Sequence, residues 1–171
     1  MERMITTPRL EMRRLGTQDV DALYSLYSDA ATMRFIGDGT TATREATAEA
    51  LAGAIEGYGR DGYGMLATLS RDTGRMVGRC GHKRWEVDGT EHIEIGWMIH
   101  PDHVGEGLAT EAGIALREFA FYALGLDHVI SVIQPGNRAS IRVAEKVGEI
   151  YWRAWTTPGG QPAVLYRVDR P

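Results

Sequence analysis

The sequence has few of the features that mark secreted, metal-binding or membrane proteins. Its single cysteine, Cys80, excludes an internal disulfide and a cysteine metal cluster. The five histidines show no H-E-x-x-H or similar ligand spacing, so the sequence predicts no metal. No apolar run reaches the roughly 18 residues of a membrane span, and no apolar segment marks a signal peptide. We therefore expect a cytoplasmic protein without a membrane partner.

The chain also lacks an excess of positive charge. Its 19 Lys and Arg residues are outnumbered by 23 Asp and Glu residues, which gives a net charge of −4 at pH 7. Since nucleic-acid binding relies on a basic surface that releases counterions, nucleic acid is not expected as a partner. The charge is compatible with a cationic amine as substrate but does not require one. Because no linker, repeat or low-complexity segment occurs, we expect a single domain over residues 1–171.

Residues 92–123 contain the most informative pattern: a strand, a turn, a loop with two glycines and a long helix. Apolar residues alternate with other residues along the predicted strand, at Ile93, Ile95, Trp97 and Ile99. Pro101 has no backbone donor and ends the strand. The helix has one apolar side, formed by Leu108, Ala112, Ala115, Leu116, Phe119 and Ala123. The glycine loop therefore joins a strand end to a helix start.

That loop has the composition of a phosphate-binding turn. The start of a helix has free N–H groups and the positive end of the helix dipole, and Gly105 and Gly107 let the backbone approach a phosphate closely. The glycines are equally compatible with a plain tight connection. A dinucleotide-binding G-x-G-x-x-G turn is rejected, because Thr110 occupies the third glycine position and the only suitable acid, Asp127, precedes its strand.

Four segments resemble those of the GNAT N-acetyltransferase superfamily. EIGW at 94–97, followed by GEGLATEA at 105–112, resembles the acetyl-CoA signature of that superfamily. The second motif is resembled by PGNRASIRVAEKVG at 135–148, in the form typical of the branch with the RimJ/RimL-type ribosomal-protein acetyltransferases. TPRL at 7–10 and MRFIG at 33–37 fit the same branch. The resemblance spans nearly the whole chain.

The order of the predicted elements indicates an α+β fold rather than a doubly wound sheet. The predicted strands cover residues 10–15, 64–69, 76–86, 92–99, 127–133, 151–157 and 163–168, and the predicted helices cover 17–27, 43–55, 108–123 and 137–147. With the resemblance, we expect one GNAT-like domain with a mixed, mostly antiparallel twisted sheet of about seven strands flanked by about four helices. The sheet should splay between the central strands that end near Ile99 and Ile133.

The resemblance implies acetyl-CoA as cosubstrate. The pyrophosphate would be bound by the backbone of the loop and the helix start, at Val104, Gly105, Glu106, Gly107, Leu108, Ala109 and Thr110. The pantetheine arm would pair with the strand backbone at Trp97, Met98 and Ile99. Further contacts to the cosubstrate are implied for Asn137, Arg138 and Ser140 in the second motif.

Glu94 is the first candidate for the general base that removes a proton from an amine, directly or through a water. His92 is the alternative, because the ordinary pKa of histidine suits proton exchange near neutrality. Asn137 and Ser140 are candidates for catalytic contacts, although an N-cap and a first-turn hydroxyl describe them equally well.

Three positions depart from the superfamily pattern. Ala144 stands where many members carry a tyrosine that acts as general acid, so the acid is unassigned. Val104 replaces a polar residue at the start of the loop, and Glu149 replaces an aromatic residue. The backbone contacts to the cosubstrate do not depend on any of the three.

The residues and the resemblance together predict an acetyl-CoA-dependent N-acetyltransferase that transfers the acetyl group directly to a primary amine. The acceptor is left open among a protein N-terminus, an aminoglycoside-like antibiotic, a polyamine and an amino-acid derivative. A non-catalytic acyl-CoA-binding or sensor module with the same fold is the alternative, and the missing tyrosine favours it. A homodimer is compatible with the resemblance.

Overall fold

The computed structural model describes residues 3–171 and contains one eight-stranded sheet. The first two residues of the predicted domain lie outside the described part. The strands are β1 (Arg3–Thr6), β2 (Leu10–Arg14), β3 (Met65–Ser70), β4 (Met76–Val87), β5 (Thr90–Ile99), β6 (His128–Ile133), β7 (Ile150–Thr156) and β8 (Pro162–Asp169). Their order across the sheet is β1-β2-β3-β4-β5-β6-β8-β7.

Five α-helices accompany the sheet. They are α1 (Val20–Tyr27), α2 (Ala30–Met33), α3 (Arg44–Asp61), α4 (Leu108–Tyr122) and α5 (Arg138–Val147). Side chains cap three of the starts: Asp29 accepts a hydrogen bond from the N–H of Thr32, Thr43 from that of Ala46, and Asn137 from that of Ser140. Among residues 3–171, no helix combines the length and the apolar character needed to cross a membrane.

Helices cover both faces of the sheet. His82 on β4 reaches α4, with its Nε2 3.1 Å from the carbonyl oxygen of Leu116. Arg79, on the same strand, lies over the ring of Tyr27 in α1, 5.7 Å from the ring centre. Because side chains three residues apart on a strand point to opposite faces, α4 and α1 lie on opposite sides of the sheet.

The predicted α+β fold with an open mixed sheet is confirmed. The prediction missed β1, a four-residue edge strand with little alternation, and α2, a single turn capped by Asp29. It also ended α3 too early, at residue 55. Three glycines weaken the helical signal there, but Tyr58 is buried and its hydroxyl donates to the carbonyl of Met65. The helix ends at Gly62, whose φ of 75° requires glycine.

The predicted splay lies between β5 and β6, which form the one parallel pair among the described strands. β4 and β5 pair along ten residue pairs, from Gly78 with Ile99 to Val87 with Thr90. β5 and β6 share a single register pair, Glu94 with Ile130, so their carboxyl ends diverge beyond it. β6 is held on its other edge by β8.

The N-terminal segment is tied to the start of α4 through Glu111. Thr7 Oγ1 donates to Glu111 Oε1 at 2.6 Å, and the backbone N–H of Arg9 donates to the same oxygen at 2.9 Å. The Arg9 guanidinium donates to Glu111 Oε2 at 2.6 Å and to the carbonyl of Glu106 at 2.8 Å. Burial works to raise the pKa of Glu111, but these hydrogen bonds outweigh it and the pKa is lowered.

Replacing Glu111 with alanine should lower the free energy of unfolding by about 2 kcal/mol, because it removes charge-assisted hydrogen bonds that join segments far apart in the chain. Urea denaturation of both proteins measures the loss. The control is Glu118→Ala on the same helix, since the carboxylate of Glu118 pairs with its chain neighbour Arg117. Equal stability of the two variants would show that the link contributes little.

Candidate active site

A cleft of about 330 Å³ opens where β5 and β6 separate. Residues 94–98 of β5 and residues 131–134, at and just after the end of β6, form its floor and walls. Residues 35–37 after α2 and residues 157–159 between β7 and β8 border it, together with Asn137 and Ser140 at the start of α5. The sequence patterns 94–97 and 135–148 therefore meet in one cavity.

Glu94 extends into this cleft from β5. Trp85 Nε1 donates a hydrogen bond to Glu94 Oε2 at 2.6 Å, and the backbone N–H of Val132 donates a weaker one to Oε1 at 3.4 Å. Burial raises the pKa of Glu94 above its usual value, against the Trp85 hydrogen bond and the charge of Lys83. A carboxylate with a raised pKa that faces a cleft has the properties of a general base.

His92 does not line the cleft. It is 7% exposed, its Nδ1 lies 2.8 Å from Nε2 of His128, and its ring is 5.3 Å from that of Trp152. Burial and the neighbouring His128 lower the pKa of His92. The geometry therefore favours Glu94 over His92 as the base.

The loop before α4 leaves its backbone open to a ligand. Gly105 and Gly107 have φ values of 91° and 80°, which favour glycine, and no side chain caps the helix start. A Cβ atom at Gly105 would meet nothing within 4 Å, and one at Gly107 would meet only the Arg9 guanidinium at 3.6 Å. Free N–H groups, an open approach and a nearby cation fit a pyrophosphate.

The other predicted loop residues differ in their surroundings. Val104 is 67% exposed, and the Glu106 side chain pairs with His103 at 3.2 Å. Leu108 is buried under the helix, so only its backbone is directed to the loop. The backbone, rather than these side chains, is therefore the part of the segment that is open to a ligand, and its role in binding stays a prediction.

Residues 97–99 of β5 present one backbone edge to the opening. Their other edge is paired with Gly78, Arg79 and Cys80 on β4. The side chain of Trp97 points away toward α4 and α5, where its Nε1 donates to Ser140 Oγ at 3.3 Å. The side chain of Trp97 therefore packs against the helices, while its backbone edge is available to an extended ligand.

The predicted site residues of the second motif, at the start of α5, differ in whether they line the cleft. Asn137 caps the helix through its bond to the Ser140 N–H at 3.2 Å, and both side chains line the cleft. Arg138 is exposed and lies outside the cleft lining. The structure therefore places Asn137 and Ser140 in the lining of the same cleft as Glu94 and leaves Arg138 at the surface.

Glu149 is a buried acid behind the cleft, at a position where the sequence shows only a departure from the superfamily pattern. It is 2% exposed, and its Oε1 lies 3.0 Å from Ser131 Oγ. Ser131 Oγ also lies 2.9 Å from the carbonyl of Ile95. One hydroxyl proton cannot serve both acceptors, so a protonated Glu149 that donates from Oε1 to Ser131 lets Ser131 donate to Ile95, while Glu149 Oε2 is buried without a hydrogen-bond partner. Burial raises the pKa of Glu149 to about 8, which agrees with this arrangement.

The Glu149→Gln variant should be more stable than the wild-type protein by a margin that grows as the pH rises. The raised pKa means that the unfolded chain loses this proton above pH 4.5 while the folded chain keeps it until about pH 8, so wild-type stability falls across that interval. Glutamine keeps the donor without the ionisation. Thermal denaturation at pH 5 and pH 8 should show a gain for the variant that grows by roughly 5–10 °C. Parallel pH profiles would contradict a protonated Glu149.

Three basic residues in this region have no functional role predicted from the sequence. Arg79 and Lys83 line the cleft from β4, and Arg9 lies beside the glycine loop. Lys83 stands opposite Glu94 in the strand register. The alternation of β4 was the available signal, since it places residues 79, 83 and 85 on one face. Among residues 3–171, no group of three or more His, Cys, Asp or Glu side chains has a metal-binding arrangement.

Comparison with known proteins assigns the class and then the family. The model of the acetyltransferase (GNAT) domain matches residues 9–149, which is most of the chain. A protein named uncharacterized N-acetyltransferase YnaD, from Bacillus subtilis (strain 168), is 31% identical over 144 residues, 84% of this chain and 81% of that protein. The protein is an acyltransferase, and it belongs to the GNAT acetyltransferase family.

Solved structures share the fold along nearly the whole chain. The acetyltransferase from Agrobacterium tumefaciens str. C58 has a TM-score of 0.82 and 26% identity, with 99% of this chain and 95% of that chain covered. The RimL ribosomal L7/L12 alpha-N-protein acetyltransferase in complex with coenzyme A has a TM-score of 0.80 and 18% identity, with 98% of each chain covered. At that identity the second likeness concerns the fold alone.

Proposed function

We propose that this protein transfers the acetyl group of acetyl-CoA directly to a primary amine. The observation that carries the proposal is the single cleft in which the open edge of β5 meets Glu94 and the first turn of α5. The glycine loop lies beyond the end of the same strand edge, where a phosphate-bearing arm would emerge. Acetyl-CoA supplies the activated acetyl group as a thioester.

We assign the residues roles in binding and proton transfer. The backbone of residues 105–110 binds the pyrophosphate, and that of residues 97–99 pairs with the pantetheine arm and directs one N–H at the thioester oxygen. Glu94 takes the proton of the amine as nitrogen bonds to the acetyl carbon and the carbon–sulfur bond breaks. Ser140, oriented by Trp97 and by the Asn137 cap, donates a hydrogen bond to the leaving thiolate.

We also propose the RimJ/RimL-type branch, a cytoplasmic location, and residues 1–171 as one functional domain. The motif at 135–148 and the shared fold with the RimL protein support the branch. The acceptor of that protein is a protein N-terminus by its name, whereas an amine on a small molecule is equally compatible with the cleft. A homodimer through the β7 edge is supported by the exposed side chains of Ile150 and Tyr151.

The alternative of a non-catalytic acyl-CoA-binding module is disfavoured by membership of an enzyme family and by the position of Glu94 in the cleft. The two functions differ in one measurement. An enzyme releases thiol faster when an amine is added, whereas a binding module does not.

Calorimetric titration should show that acetyl-CoA binds and that NAD does not. Gly107→Val should weaken acetyl-CoA binding at least about tenfold, because a branched side chain is strained at a positive φ and distorts the backbone that holds the pyrophosphate. Gly74→Val is the matched control, since Gly74 also has a positive φ and open surroundings but lies in the β3–β4 turn. Equal affinities in the two variants would remove the loop from the binding site.

Glu94→Gln should lower kcat with an amine acceptor by roughly 100-fold or more, because the variant has no base for the amine proton. The KM for acetyl-CoA should change little. The assay is thiol release with a panel of amines, and Glu91→Gln on the same strand is the control because Glu91 is exposed. Unchanged turnover of the Glu94→Gln variant would show that Glu94 is not the base.

A further inference from the structure

The cleft contains more positive than negative charge. Its charged lining residues are Arg79, Lys83 and Glu94. All three lie on the sheet face that α1 covers, with Lys83 opposite Glu94 in register and Arg79 opposite Met98. Gly96 lies between Glu94 and Met98, and the Met65 side chain lies over it, 3.4 Å from where a Cβ atom would be. An acceptor that reaches Glu94 therefore enters a site with a net positive charge.

Both cations lie over aromatic rings, and the charge of Glu94 interacts with each of them without a direct salt bridge. The Arg79 guanidinium is half-buried over Tyr27, and Lys83 Nζ lies 4.0 Å from the ring centre of Trp85. Within the part of the chain that the structure describes, neither side chain forms an ion pair with a carboxylate. A partly desolvated guanidinium without a direct salt bridge is costly, and an incoming anion offsets that cost.

These cations are placed away from the predicted pyrophosphate site. The glycine loop leads into α4, whereas Arg79 points to the opposite face of the sheet, against α1. The loop follows the end of β5 at Ile99, and Gly78 is the β4 residue opposite Ile99. Lys83 is five residues farther along β4 and so lies farther from the loop. The loop has its own cation in Arg9. Arg79 and Lys83 are therefore available to the acceptor.

We propose, on the basis of the proposed N-acetyltransferase function, that the acceptor is a primary amine that also has an anionic group, such as an amino carboxylate or an amino phosphonate. Arg79 binds the anionic group, with its planar donors suited to a carboxylate or phosphonate. Lys83 adds to the positive field, and the amine is placed at Glu94. Met65, Trp85 and Phe35 contact the apolar part between the two groups.

The same arrangement disfavours acceptors with several positive charges. A polyamine or an aminoglycoside brings additional ammonium groups into a cleft in which Glu94 is the one acid among the described lining residues. Those groups meet Arg79 and Lys83 without compensating carboxylates, and like charges at short range in a partly desolvated site repel strongly. The charge of the lining thus separates the acceptor classes that the sequence leaves open.

The test uses matched amines in a thiol-release assay at saturating acetyl-CoA. α- and ω-amino carboxylates are compared with their amides and with diamines of the same length. We expect kcat/KM for the best carboxylate to exceed that of its amide at least about tenfold. Arg79→Gln should remove most of that preference by raising KM for the carboxylate far more than KM for the amide, and calorimetric titration with acetyl-CoA checks that the variant is folded. Arg75→Gln, an exposed arginine in the preceding turn, is the control.

Lys83→Gln, at an exposed position, is the second variant and serves as the test if Arg79→Gln does not fold. It should reduce the preference for the carboxylate several-fold. Amides or diamines that react as well as carboxylates would overturn the anionic acceptor while leaving the N-acetyltransferase function intact. An Arg79→Gln variant that slows both members of each pair equally would also overturn it. Acetyl-CoA binding without stimulation by any amine would overturn the proposed function itself, and this inference with it.

Discussion

The break in pairing between β5 and β6 is the constraint on which the rest of the site depends. Only Glu94 and Ile130 are in register, so the backbone beyond them on β5 lacks a neighbouring strand on one side. Side chains replace part of the lost ladder: Ser131 Oγ lies 2.9 Å from the carbonyl of Ile95, and Val132 N–H donates to Glu94. The opening is thus closed at its base by the same residues that line the cleft.

Two acids, Glu94 and Glu149, lie beside the β5–β6 opening, where burial disfavours their charged forms. Glu94 and Glu149 both have raised pKa values, and the charge of Glu94 contributes to the shift at Glu149. A neutral Glu149 can donate to Ser131, whereas an ionised one would add a second negative charge near Glu94. The protonated acid therefore supports the β5–β6 tie and leaves Glu94 as the acid directed into the cleft.

The sequence predicted the elements whose signals are local. The period-2 strand before Pro101, the glycine loop and the Asn137 cap are each specified by neighbouring residues, and the structure has all of them. It also places Glu94, Asn137 and Ser140 in one cleft, although their catalytic roles stay predictions. The contacts of Arg9 with Glu111 join residues 102 positions apart, and the charge of the cleft depends on register between strands. Neither can be predicted from single segments.

Ala144 lies in the packed core and outside the described lining of the cleft. Ala144 is fully buried and packs with Ile133 and Tyr166 under α5, so the space that a tyrosine would need is already filled. Ser140, one turn earlier on the same helix, faces the cleft instead. Ser140 is the residue to which we assign the hydrogen bond to the leaving thiolate. The helix cap and the proposed acid function then belong to the same turn, because Asn137 fixes the backbone that positions Ser140.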